Sequence, residues 1–166
     1  MNLEDISEGS RVFLDANIFV YAFAPDPQFG HDCLQLLQRI ERQELTGCTS
    51  SHVLSNVAHR LMTLEACVIF GWPYAGIAAR IQKHPAEIQQ LTRFRQAISQ
   101  ISAIGVQTFS VSKEQVETAA RLSQQFGLLS NDSLILAVMQ DNGLTQLASH
   151  DSDFDRASGI SRFSLA

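Results

Sequence analysis

The sequence predicts an α/β fold: a three-layer α/β/α sandwich around a central, mostly parallel sheet. Three observations predict it. Short apolar runs alternate along the chain with segments whose apolar residues fall at helical spacing. The first run, Arg11-Val-Phe-Leu-Asp15, is apolar at successive positions, as a strand covered on both faces must be. The chain has 166 residues, 45% of them hydrophobic, enough for a single domain over residues 1–166 with its core over about 11–163.

After the strand Arg11–Asp15, Asn17 offers a side-chain cap to a helix over Ile18–Ala24, which Pro25-Asp26-Pro27 stops. Asp32–Glu44 places Cys33, Leu36, Leu37 and Ile40 on one helical stripe. Gly47-Cys48-Thr49 is a brief strand, followed by Ser50 and Ser51 as N-cap candidates. The next helix, Ser51–Glu65, buries Val53, Val57, Leu61 and Leu64 and turns His52, Asn56, His59, Arg60 and Thr63 to the opposite side. Gly71-Trp72-Pro73-Tyr74 breaks the pattern, and a polar helix covers Ala86–Ile101. Val106–Phe109 is a strand. Ser112-Lys-Glu-Gln115 has the form of a capping box, opening a helix that Gly127 ends. A helix over Asn131–Asp141 closes at Asn142-Gly143, the strand Leu144–Ala148 follows, and His150–Asp155 is an acidic loop. Ile160–Leu165 is a last edge strand.

Twelve Lys and Arg stand against seventeen Asp and Glu, a formal charge of −5. That balance lacks the broad basic footprint of a duplex-binding protein. The acidic start, Met1–Ser10, has no basic-then-apolar leader pattern. No stretch approaches the length needed to span a bilayer, so no membrane association is expected. Cys33, Cys48 and Cys67 are scattered among apolar neighbours, which suits buried thiols in a reducing compartment and predicts a cytoplasmic protein.

Chemistry is concentrated in the acids. Asp15 ends the first strand, Asp151 follows the strand Leu144–Ala148, and Asp132 starts the helix before it. In a parallel sheet, groups beyond the carboxyl ends of the strands meet where the strand order reverses. If the first and fourth strands are neighbours, Asp15, Asp132 and Asp151 converge, with Asp153 nearby. Carboxylates that close repel one another unless a cation neutralises them, which points to a hard divalent metal and to phosphodiester hydrolysis. Each residue also has a plainer reading: Asp132 suits the dipole at a helix start, Asp151, Asp153 and Asp155 suit a solvated turn, and Asn17 suits a cap.

Val12-Phe-Leu-Asp15-Ala-Asn17-Ile-Phe-Val-Tyr21 resembles the opening strand of a PIN domain. Leu129-Ser-Asn-Asp132-Ser-Leu-Ile-Leu-Ala137 resembles its helix-start acid, and Gly143-Leu-Thr-Gln-Leu-Ala-Ser149-His-Asp151-Ser-Asp153-Phe154 its closing strand and acidic loop. The resemblance implies a Mg2+- or Mn2+-dependent ribonuclease acting on single-stranded RNA, most often the VapC-like toxin of a toxin–antitoxin pair. Such proteins commonly form homodimers and are restrained by a small antitoxin. By the same resemblance Asp15, Asp132 and Asp151 are catalytic metal ligands, Asp153 is a further ligand or supporting acid, and Ser149 is auxiliary.

The chain departs from the family at one position. The family usually supplies a glutamate from the helix beginning at Ser51, and here Asn56 stands there. An amide offers an oxygen ligand but neither the charge nor the basicity. Glu65 lies nine residues further, about 900° around a helix, and so points to the opposite side. His52 and His59 share the face of Asn56 and are candidate metal contacts or plain polar residues. Arg60, Arg93, Arg95 and Arg156 are candidates for holding RNA phosphates, or are solvated arginines. Phe94 suits base stacking or a buried helix face; Trp72 and Tyr74 suit a partner surface or packing. Two functions follow: an endoribonuclease, or a catalytically impaired PIN fold that binds RNA or a protein. A phosphoacceptor receiver domain is disfavoured, because no lysine ends a late strand and no mid-chain aspartate follows one.

Overall fold

A computed structural model describes residues 1–24 and 26–165. Pro25, expected to stop the first helix, lies outside them. The chain runs β1 (Arg11–Leu14), α1 (Ala16–Phe23), α2 (Gly30–Glu41), β2 (Thr46–Ser50), α3 (Ser51–Phe70), α4 (Ile77–Gln82), α5 (Pro85–Ile88) and α6 (Arg93–Ile104). It continues through β3 (Gln107–Phe109), α7 (Lys113–Phe126), α8 (Ser130–Asp141), β4 (Gln146–Ala148) and β5 (Ser161–Phe163). Short 3-10 turns cover Leu3–Asp5 and Ser152–Arg156.

The strands form one five-stranded sheet in the order β3-β2-β1-β4-β5, and every pairing is parallel. Val12, Phe13 and Leu14 are fully buried, as the apolar run required. From β1 the chain steps outward through β2 to β3 and then crosses back to β4. Right-handed crossovers send the helices of the two excursions to opposite faces of the sheet. Accordingly α1, α2, α3 and α6 pack on one another, and α7 packs on α8. β1 therefore sits where the strand order reverses, with β4 as its neighbour. Where α2 crosses β2, the side chain of Ile40 lies over Gly47, and a Cβ there would meet Ile40 Cδ1 at 2.6 Å.

Several elements differ from the sequence reading. The cap of α1 is Asp15, not Asn17: Ala16 N donates to Asp15 Oδ1 at 2.6 Å, and Asn17 lies inside the helix. α2 ends at Glu41, because Gln43 adopts a left-handed φ of 63°. α3 has twenty residues and continues to Phe70, where left-handed Gly71 ends it. By length and composition alone α3 could cross a membrane, contrary to the expectation of no such stretch; it packs instead on α1 and α6 and buries Val53, Val57, Leu61, Thr63, Glu65 and Ala66. Thr63, expected on the polar side, is buried because its hydroxyl donates to the Arg60 carbonyl at 2.8 Å. The helix expected over Ala86–Ile101 is two, α5 and α6.

The break between them has a cause. Glu65, only 5% exposed, aims its carboxylate at the start of α6 and accepts from Thr92 N (2.9 Å), Arg93 N (3.0 Å to Oε2) and Phe94 N (3.4 Å). A carboxylate on these otherwise unpartnered N–H groups nucleates a helix there. Beyond the main core, Ala66, Ile77, Ile81 and Leu91 form a smaller one, with Phe70, Trp72 and Phe94 against it. The capping box at Ser112 and Gln115 forms as expected, and Gln115 Nε2 also donates to Asp141 Oδ2 at 2.9 Å, tying α7 to α8.

Candidate metal centre

The candidate centre lies at the carboxyl ends of β1 and β4. Leu14 pairs with Ala148, and the ladder runs one step further as Asp15 N donates to the Ala148 carbonyl at 3.1 Å. The next residues on the two strands, Asp15 and Ser149, thus leave the sheet side by side. Ser149 Oγ donates to Asp15 Oδ2 at 2.7 Å, and Asn17 Nδ2 donates to the same oxygen at 2.6 Å. Asn17 also accepts from His150 N at 3.2 Å, so its amide joins the start of α1 to the loop after β4. In that loop Asp151 N donates to Ser149 Oγ at 3.1 Å, and Asp153 N to Asp151 Oδ1 at 2.9 Å. Asp132, in the first turn of α8, is half-buried and faces this group electrostatically.

The electrostatics bind these residues into one site. Burial pushes the Asp15 carboxyl up from its ordinary range; the Ser149 and Ala16 hydrogen bonds and the charge of Arg60 pull it back, and Asp151 raises it again. Asp132 is pushed up to about 6, first by burial and then by the negative charges of Asp151, Asp15 and Asp153. Three acids that raise a fourth, Asp132, and one that raises Asp15, make a donor set suited to a hard cation, whose charge relieves the repulsion without a proton. Among the described residues no three His, Cys, Asp or Glu side chains are already drawn together at metal-holding distances. Asp15 Oδ2 accepts two protein hydrogen bonds and Oδ1 one, so Oδ1 retains a lone pair for a cation. The residues present fit a divalent metal in charge and donor chemistry.

The remaining candidates divide. Arg60 is half-buried and its charge reaches Asp15. Asn56, one turn earlier on α3, is half-buried, and its side chain makes no hydrogen bond among the described residues. His59 is exposed, and His52 buries its Nε2 without a partner. Arg93 and Arg95 are exposed at the start of α6, away from the hydrogen-bonded group around Asp15, while Phe94 packs against both cores. Arg156 is already engaged: it pairs with Asp153 Oδ1 at 2.8 Å and donates to the Gly127 carbonyl at 3.0 Å. Glu65 faces α6, as its angular distance from Asn56 required.

Sequence reasoning missed Arg162. From β5 its guanidinium grips Asp155 with two bonds of 2.7 and 2.8 Å and donates to the Ser149 carbonyl at 3.2 Å. That pair holds the Asp155 carboxyl below its ordinary range and pins the acidic loop beneath the site. Nothing in the spacing of Asp155 and Arg162 announces a fork-to-carboxylate pair; only the β4–β5 pairing brings them together.

The fold and the centre together define a PIN-type α/β protein. The PIN domain family profile matches residues 12–160, and the chain belongs to that family. Solved structures share the fold. VapC20 of Mycobacterium tuberculosis, described as a sarcin-ricin loop cleaving toxin, is 18% identical with a TM-score of 0.58, over 90% of this chain and 96% of its own. VapBC2 of Rickettsia felis, solved on a DNA fragment of its promoter, is 18% identical with a TM-score of 0.56, over 94% and 99%. A toxin–antitoxin complex of Klebsiella pneumoniae is 20% identical with a TM-score of 0.52, over 90% and 95%. No curated protein sequence matches the chain.

Proposed function

We propose that the chain is a divalent-metal-dependent endoribonuclease that hydrolyses phosphodiester bonds of single-stranded RNA, in the manner of a VapC toxin. The observation that carries this reading is the mutual charge of Asp15, Asp132, Asp151 and Asp153 at the β1–β4 junction, with Asp132 raised to about 6. In it, Asp15, Asp132 and Asp151 hold Mg2+ or Mn2+, and Asp153 assists. The cation supplies the Lewis acidity that activates water and steadies a phosphate. Ser149 and Asn17 orient Asp15 through its Oδ2, and Arg60 offers a guanidinium to an RNA phosphate on the same side. A VapC-like protein also implies a cytoplasmic setting, a homodimer and an antitoxin partner; the R. felis and K. pneumoniae neighbours are a VapBC assembly and a toxin–antitoxin complex. The whole chain, 1–166, acts as one domain in this reading.

The test is cleavage of single-stranded RNA in Mn2+ by the protein and by Asp15→Asn. Cleavage abolished in the variant is the expected result, and equal cleavage by both overturns the reading.

Asn56 favours a second reading. It puts a neutral amide where the family places an acid, so the fold then binds RNA or a protein without cutting. A metal-dependent chain that binds RNA but leaves it intact until Asn56→Glu is introduced is the result that selects this reading.

A further inference from the structure

Positive charge in this acidic chain is gathered in one stretch that holds none of the four acids of the crevice. Residues 71–95 hold Arg80, Lys83, Arg93 and Arg95 against one acid, Glu87, in a chain of formal charge −5. Elsewhere the cations are mostly spent on partners: Arg39, Arg42, Lys113, Arg156 and Arg162 each pair with an acid. Among the described residues Arg80 and Lys83 pair with none.

These two side chains line an open groove of about 480 Å³ together with Trp72, Gly76, Ala79 and His84. Its wall is aromatic. The Trp72 indole lies 4.8 Å from the Phe70 ring and 5.0 Å from the His84 ring, centroid to centroid, and the Arg80 guanidinium stands 5.6 Å over it. The His84 ring is anchored by a 2.7 Å contact between its Nδ1 and the Arg80 carbonyl. Neighbouring Tyr74 is 66% exposed, a large ring left in solvent. Phe70 and Trp72 pack on the smaller core built on Ile77, Ile81 and Leu91.

We infer that the groove of Trp72, Arg80, Lys83 and His84 is an anchoring site for single-stranded RNA, separate from the carboxylate crevice. Cations take the phosphates, and aromatic faces take bases whatever their identity. The crevice itself is negative and repels a polyanion until a cation fills it, so affinity for RNA has to come from another surface. α3 supplies the spacing: from Arg60, whose charge reaches Asp15, to Phe70 at the helix end is ten residues, ~15 Å along a helix, and Trp72 lies two residues beyond. A strand held in the groove therefore has to run several nucleotides before it reaches the acids. A flat aromatic and guanidinium surface suits bases better than an acidic peptide, which has no rings to stack.

RNA as the ligand rests on the ribonuclease reading, but the site is tested without cleavage. Trp72 is the only tryptophan, so its fluorescence reports on this groove alone. The protein is titrated in EDTA with a single-stranded RNA decamer over a range of salt. Quenching of Trp72 is expected, with binding about tenfold weaker in Arg80→Ala/Lys83→Ala and a log–log salt slope shallower by about 1.4, at ~0.7 for each lost phosphate contact. Circular dichroism of the double variant confirms folding, and Lys113→Ala/Arg121→Ala, an equal charge loss on α7, leaves affinity within about twofold. No quenching, or equal affinity in both double variants, overturns the site. Equal quenching by polyglutamate of the same length overturns RNA as its ligand and makes the groove a protein-docking surface. Binding that persists in a protein which never cleaves leaves this site standing while the nuclease reading falls.

Discussion

Ser149 Oγ donates to Asp15 Oδ2 at 2.7 Å, joining residues 134 apart in sequence across the β1–β4 junction. The hydroxyl is fully buried, and its bond is the strongest influence holding down an acid that burial otherwise pushes up. Ser149→Ala removes a charge-assisted bond and is expected to cost about 1.5 kcal/mol of stability at neutral pH. It also leaves Asp15 harder to ionise and less well oriented, so Mn2+ affinity drops about tenfold. Urea melts and calorimetric titration check both; unchanged affinity would mean that Asp15 needs no such support.

Asp132 sets a pH dependence. Its carboxyl titrates near 6 in the folded chain against an ordinary 3.8. A raised acid favours folding while protonated: its contribution is fully present below its unfolded value and is lost as pH climbs through the folded one. The metal-free protein should therefore lose melting temperature between about pH 4 and 6 relative to Asp132→Asn. The group is half-exposed, so solvent screening shrinks the loss. Saturating Mn2+ should reverse the slope, because the cation favours the ionised form. Parallel melting curves for the two proteins across that range would count against the mutual repulsion of the acids.

Glu65 serves α6 rather than the metal. Its carboxylate accepts from the amides of Thr92, Arg93 and Phe94. Glu65→Ala is expected to destabilise the fold by about 2–4 kcal/mol, since it strips three part-buried N–H groups of their acceptor and leaves a void at a buried position. Glu65→Gln should cost about 1 kcal/mol, the worth of the charge at a helix start. Mn2+ affinity should be unchanged in the folded Gln variant, and a tenfold fall there would place Glu65 in the centre after all.

Asn56→Glu restores an acid on the face of α3 that also carries Arg60. In the proposed nuclease it should raise Mn2+ affinity several-fold and raise cleavage. The comparison is made at saturating metal, where a rise in kcat separates a repaired site from one that merely fills more easily.

The sheet and its switch point were legible because their signals are local. Val12-Phe-Leu needs two covered faces, Ser112 and Gln115 close their own box, and Gly127 ends a helix by itself. The meeting of Asp15 with Ser149 required only that β1 and β4 be neighbours. What escaped depends on partners distant in sequence. Asn17 looked like a cap because Asp15 was read as a strand end, yet one carboxylate both caps α1 and faces the crevice. The end of α3 was set too early because Glu65 reads as a solvent acid until α6 lies against it. Arg162 carried no signal before β5 was laid beside β4.

The junction of β1 with β4 also orders events during synthesis. A chain emerging from the ribosome folds from its N-terminal side first. Asp15 and Asp132 are made before β4, but Ser149 and Asp151 arrive only after it, so a partial product that stops short of β4 has two of the acids and no junction. Whatever the junction does thus waits on β4, however early Asp15 is made.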